Sequence, residues 1–164
     1  MKNKAKVVVI GGGVVGVSTL YHLAKKGWSD VVLCERKELT SGSTWHAAGL
    51  MPLFNMSYSV GQIHKYSVKF YQELEKETGQ DVGFRQVSNI RLAENQDRMD
   101  EYRQYAGVAE TIGVKVNFLT PEEVQKAWPL CSIEGLVGAI QHPEDGYIQP
   151  NDLTQALAKG ARAL

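Results

Sequence analysis

The stretch Lys6–Gly16, "KVVVIGGGVVG", joins a β-branched apolar run to three glycines at G-x-G-x-x-G spacing: Gly11, Gly13 and Gly16. A run of that kind predicts a strand buried on both faces of a parallel sheet. A helix is predicted to follow over roughly residues 14–26, with Val17, Leu20, Tyr21 and Ala24 facing inward. Lys25 and Lys26 close its last turn and Gly27 lies just beyond, as suits a helix C-terminus. "VVLCE", Val31–Glu35, is the second predicted buried strand. In such a unit Gly11 permits the tight turn, Gly13 lets a diphosphate approach the backbone, and Gly16 lets the helix pack closely on the strand. The diphosphate belongs at the helix N-terminus, at Val14 and Val15, where free N–H groups and the positive dipole end meet it. Glu35 closes the second strand, with Arg36 after it, and is placed to accept hydrogen bonds from an adenosine ribose. Strand before, helix after and an acid ending the next strand together point to dinucleotide binding.

The residues after Glu35 bear on which dinucleotide. A nicotinamide domain calls for a second amphipathic helix and a third parallel strand soon afterwards. Instead the chain continues "RKELTSGSTWHAAGLMPL", polar and then small, with little periodicity. Such a segment suits a flavin, which needs an extended cradle of donors and clearance. Ser41, Ser43 and Thr44 offer hydroxyls; Ala47, Ala48 and Gly49, running into Leu50, offer room. Trp45 and His46 stand side by side in the middle of it.

"GGGVVG", "CER" and "TSGSTWHAAGL" resemble the amino-terminal flavin domain of the dimethylglycine and sarcosine dehydrogenase family, D-amino-acid-oxidase-like FAD-dependent oxidoreductases. The resemblance continues in "YQELEKETGQDVGF", "NIRLA" and "DGYIQPNDLTQALAKGAR", so it covers essentially the whole chain. It implies FAD as cofactor, with His46 at the position of the family histidine bonded to the flavin 8α-methyl carbon and Trp45 walling the pocket. A neutral imidazole nitrogen is a competent nucleophile for that bond near neutral pH. The resemblance further implies oxidative demethylation of an N-methylated glycine by hydride transfer to FAD, with dimethylglycine ranked ahead of sarcosine. An electron-transfer flavoprotein or other acceptor would take the electrons, and tetrahydrofolate would bind in a C-terminal module. A flavin-binding regulatory relative without turnover, or an inactive fragment, is the alternative. A nicotinamide dehydrogenase ranks last.

Further along, helical spacing predicts a helix from Val60 to Thr78, with Val60, Ile63, His64, Ser67, Phe70, Tyr71 and Leu74 on its packed stripe. "GFRQV" and "NIRLA" are expected to pair as a hairpin around Ser88–Asn89. A helix from about Asn95 should turn Met99, Tyr102, Ala106 and Ala109 inward and end near Gly113. "VKVNFL" alternates as a half-buried strand. Thr120, Pro121 and Glu123 spell a capping box opening a short helix to Trp128. "GLVGAIQH" is a strand, and Leu153, Leu157 and Leu164 mark a final amphipathic helix. Arg85 and Arg91 read as fold or surface residues, His64 as a packed core histidine and His142 as a loop residue. No catalytic acid or base, and no metal ligand set, can be named.

The expected fold is therefore α/β: the N-terminal portion of a Rossmann-like βαβ FAD-binding domain with the start of a mixed, partly antiparallel substrate domain. Residues 1–80 would begin the FAD domain, 81–150 the substrate domain, and 151–164 a helix returning to the first, in a fold left incomplete. Lys plus Arg and Asp plus Glu are 18 each, giving no reason to expect nucleic acid as partner. Cys34 and Cys131 lack metal-ligand or CxxC spacing and read as reduced, inert core thiols. No apolar run is long enough to span a bilayer, and "MKNKAK" leads straight into a strand without a cleavable leader. These features favour a bacterial cytoplasm over a mitochondrial matrix after processing.

Overall fold

The computed structural model describes residues 4–164; the first three residues of "MKNKAK" lie outside the described residues. The chain divides into two compact units. One takes the chain up to Leu50 with Phe70–Phe84 and Ile148–Leu164; the other takes Met51–Lys69 and Arg85–Tyr147. The chain thus passes between units at residues 50/51, 69/70, 84/85 and 147/148, where the sequence suggested bounds near 80 and 150.

In the first unit, β1 (Val7–Ile10) leads through the glycine turn into α1 (Val14–Lys25) and then β2 (Val31–Cys34). The two strands pair in parallel, Val7 opposite Val31 and Ile10 opposite Cys34. A one-turn 3-10 segment covers Ser43–His46, and β3 (Leu50–Met51) follows. The long helix α2 (Tyr58–Thr78) contributes residues to both units; its C-terminal part brings Phe70 and Leu74 into the first core. The last helix, α5 (Pro150–Ala163), lies against α1, burying Leu153, Ala156, Leu157 and Ala158 beside Val17 and Tyr21. Each large aliphatic side chain buried this way contributes about 1.5–3 kcal/mol. Gly160 sits where the helices meet: a Cβ there would fall 2.6 Å from the Tyr21 ring. The Tyr21 hydroxyl donates to Glu77, and Lys25 Nζ lies 2.8 Å from Glu77 Oε1. Lys25 and Glu77 are solvent-exposed, so their pairing adds little to stability.

The second unit is built on a three-stranded antiparallel sheet of β5 (Asn89–Ala93), β7 (Gly138–His142) and β6 (Asn117–Leu119), in that order. β4 (Arg85–Gln86) pairs antiparallel with β8 (Gly146–Tyr147) in a different sheet, of order β3-β8-β4. α3 (Gln96–Ile112) starts on Asn95, whose side chain accepts the Arg98 amide, and stops at Gly113 in the left-handed conformation. α4 (Pro121–Ala127) has the predicted capping box, Thr120 and Glu123 each receiving the other's backbone N–H.

Several expectations need correction. β4 and β5 do not form a hairpin; they join different sheets, because residues 138–147 supply both strands' partners. The Ser88 link, at φ 71°, instead turns the chain so that the Val87 and Ser88 amides both donate to the Asp145 carbonyl. β1 is not covered on both faces, since Val8 is 54% and Ile10 87% exposed. Val60 and Ile63 are exposed on α2, whose buried positions are Gly61, Val68, Phe70 and Leu74. Tyr105 and Ile112, rather than Ala106, complete the buried face of α3. Leu164 and Cys34 are exposed, so Cys34 is not a core thiol. β2 stops one residue before Glu35.

Candidate functional site

The glycine turn of the first unit is shaped by backbone sterics. Gly11 holds φ +107°, which a side chain would strain, and donates its N–H to the Cys34 carbonyl at 2.9 Å. Gly16 lies against the same turn: a Cβ would come within 2.0 Å of the Gly11 oxygen. Gly13 is the N-cap of α1 with extended backbone and offers no capping side chain. Val14 donates its amide to Thr44 Oγ1 at 3.0 Å. The amides of Gly13, Val15 and Gly16 have no acceptor among the described residues, and they stand at the positive end of the α1 dipole. The Val15 side chain is exposed.

Glu35 follows β2 and faces this turn. Its Oε2 accepts the Gly12 N–H at 2.6 Å and its Oε1 the Lys37 N–H at 2.9 Å. The Gly12 amide, then the Lys37 amide, hold its carboxyl below the usual carboxylate range. The carboxylate is oriented and ionised, with lone pairs left for hydroxyl donors such as a ribose. Arg36 is exposed beside it.

The small-residue loop runs alongside. Ser41, Ser43, His46, Ala47 and Ala48 are all exposed, while Thr44 is buried. His46 ends the 3-10 segment, its ring centroid 6.2 Å from that of Trp45 at an interplanar angle of 66°. Trp45 is 70% exposed. Gly49 has φ +73°, and a Cβ would meet the Ile148 carbonyl oxygen at 2.1 Å, so this glycine is needed for the fold of the unit itself. Leu50 is exposed at the start of β3.

Two residues of this region escaped the sequence reading. Gly12 is buried, bonded to Glu35 through its amide and to the Thr40 N–H through its carbonyl. Thr40 is buried at φ +73°, rare for a β-branched residue, and its hydroxyl donates to Asn151 Oδ1 at 2.9 Å. Fingerprint spacing singles out the first, third and sixth positions of "GGGVVG", so Gly12 passed as filler. No local pattern marks Thr40.

These residues fit a dinucleotide: three unpaired amides at a helix N-terminus, a Gly13 position where a Cβ would crowd Thr44 Oγ1 at 2.9 Å, and a fixed carboxylate at the strand end.

The second unit holds a buried polar cluster. Arg91 and His142 share one face of the β5–β7 ladder, where Asn89 pairs with His142 and Arg91 with Ile140. The Arg91 guanidinium carbon lies 4.1 Å from the Phe54 ring centroid. His142, fully buried, places Nε2 3.2 Å from the Tyr105 hydroxyl, which itself donates to the Leu53 carbonyl. It is therefore a β7 residue with a partner, not a loop residue. Asp145 accepts the Leu53 amide through Oδ1. Arg91 Nε, His142 Nδ1 and Asp145 Oδ2 are buried without partners among the described residues. Burial, helped by the Arg91 charge, pushes His142 down to about 4; burial raises Asp145 to about 6 and Tyr105 to about 12. His64 is half-buried, its Nδ1 2.9 Å from the Pro52 carbonyl. Arg85 is exposed on β4.

A model of the FAD dependent oxidoreductase (DAO) family matches residues 6–164. Mitochondrial dimethylglycine dehydrogenase of Rattus norvegicus is 46% identical over 161 residues, covering 98% of this chain and 19% of that protein. Mitochondrial sarcosine dehydrogenase of Homo sapiens is 39% identical over 164 residues, covering 99% and 18%. Among solved structures, L-proline dehydrogenase from P. horikoshii superimposes with a TM-score of 0.92 at 28% identity, over 99% of this chain and 43% of that one. The chain spans about a fifth of the length of the curated relatives it matches.

Proposed function

Since the chain belongs to the FAD-dependent oxidoreductase family, we propose that it forms the N-terminal FAD-binding part of an amine dehydrogenase that oxidatively demethylates N-methylated glycine, dimethylglycine in preference to sarcosine. The observation that carries this reading is the set of unpaired amides at Gly13, Val15 and Gly16 beside the oriented Glu35 carboxylate. The amides bind the diphosphate; Glu35 accepts from the adenosine ribose. Ser41, Ser43, Ala47, Ala48, Gly49 and Leu50 line the path beyond, and His46 is the residue that bonds to the flavin. When bound, FAD supplies the acceptor for a hydride from the N-methyl carbon, and the protein's part is to hold, orient and tune it. The higher identity to dimethylglycine dehydrogenase than to sarcosine dehydrogenase supports the substrate order. The onward electron acceptor is an electron-transfer flavoprotein or a carrier of that kind.

The test is anaerobic addition of dimethylglycine or sarcosine to the full-length holoprotein. Bleaching of the flavin absorbance, faster with dimethylglycine, is expected. A flavin that neither amine reduces would leave a binding module and end the enzyme reading.

A further inference from the structure

The turn that carries His46 is fastened to the glycine elbow at two points. The Thr40 N–H donates to the Gly12 carbonyl at 2.9 Å, and the Val14 N–H donates to Thr44 Oγ1 at 3.0 Å. Inside the turn, Trp45 N–H reaches the Thr40 carbonyl at 3.1 Å and Ala47 N–H the Thr44 carbonyl at 3.2 Å. His46 lies between these last two bonds, so its backbone is set by Thr40 and Thr44. α1 has no capping side chain of its own, because its N-cap is Gly13. Thr44 performs that task from 30 residues away.

We infer that Thr44 is a positioning residue whose hydroxyl couples dinucleotide binding at the elbow to the placement of His46. A hydroxyl has one proton and two lone pairs. Thr44 spends a lone pair on Val14, and its proton has no acceptor among the described residues. That proton stands at the positive end of a helix dipole, beside the unpaired amides of Gly13, Val15 and Gly16. An anionic oxygen arriving there accepts from those amides and from Thr44 together, and charge-assisted bonds of this kind are the stronger ones. Binding therefore tightens Thr44, and with it the turn. By linkage, a turn already held in place favours binding to the same degree. This inference rests on the dinucleotide reading of the elbow, and the test keeps the two apart.

ADP is the probe, since it carries the diphosphate and ribose without the flavin. Amide hydrogen exchange is followed in the apo form of the full chain and in its Thr44→Ser and Thr44→Val variants, with ADP binding measured separately. ADP should slow exchange at Trp45 and Ala47 about fivefold or more in the parent and in Thr44→Ser, but less than twofold in Thr44→Val at equal ADP occupancy, in line with the usual effect of a lost N-cap. In reconstitution with FAD, Thr44→Val should bind flavin yet attach it covalently at least fivefold more slowly, with Thr44→Ser restoring the rate. Equal protection of Trp45 and Ala47 in all three proteins would overturn the coupling while leaving the elbow as a dinucleotide site. A parent that binds no ADP would overturn both. A Thr44→Val protein without its far-ultraviolet dichroism would show Thr44 as a fold residue and count against the coupling unless Thr44→Ser alone retained the protection.

Discussion

Glu35 has two backbone amides on its carboxylate, from Gly12 and Lys37, and these hold it ionised below the usual range. A depressed carboxyl contributes stability above its unfolded pKa, and that contribution is lost as pH falls through the folded value. Glu35→Gln should abolish this acid-side slope in urea melts and weaken ADP binding about tenfold by calorimetry, because its single amide oxygen cannot accept from both Gly12 and Lys37 and its NH2 meets the other N–H. His142 and Asp145 give a second, opposite-signed test. His142, lowered to about 4, makes stability fall as pH drops from about 6.5 towards 4; Asp145, raised to about 6, makes it fall as pH rises from about 3.8 to 6. The two slopes largely cancel in the parent. Asp145→Asn should therefore lose stability on acidification over that window and His142→Gln should gain it; parallel slopes in both variants would refute the assignment. Gly11, Gly13, Gly16 and Glu35 stand out in the sequence because their types and spacings match a dinucleotide fingerprint, and Thr44 only as one hydroxyl among several in the loop that follows. Gly12 and Thr40 do not, since their importance comes from bonds to residues 23 to 111 positions away.

Elements were read well where the signal was local. The capping box of α4, the Asn95 and Gly113 ends of α3 and the β1–α1–β2 unit follow from residues within a few positions of each boundary. The expected hairpin of β4 and β5 failed because a turn signal at Ser88–Asn89 says nothing about strands 50 residues further on that compete for pairing. The sequence sends α5 back to the first domain without naming α1 as the surface it meets, and that contact carries a prediction. Gly160→Ala places a methyl 2.6 Å from the Tyr21 ring and should cost about 1–3 kcal/mol in equilibrium denaturation. Leu157→Ala, at a fully buried position on the same helix, should cost about 2–5 kcal/mol. A neutral Gly160→Ala would mean that α1 and α5 are not in close contact at Gly160.

Taken as a whole chain, the protein covers about a fifth of its curated relatives, and in the first unit Val8 and Ile10 show apolar side chains to solvent on a parallel strand. Exposed apolar surface of that kind drives association. The 164-residue chain by itself should sediment with a concentration-dependent mass, and Val8→Thr with Ile10→Thr should reduce that dependence. Family membership was legible across the whole length because its motifs recur from the first strand to the last helix. The proposed chemistry was not, since no spacing in these 164 positions marks a residue that would bind a substrate or move a proton.

The most direct measurement is peptide mapping of the native holoprotein after digestion in denaturant. A flavin-bearing peptide spanning residues 41–50, with fragmentation placing the added mass on His46, is the predicted result. An unmodified peptide, with all FAD released on unfolding, would contradict the reading of His46 as the point of attachment.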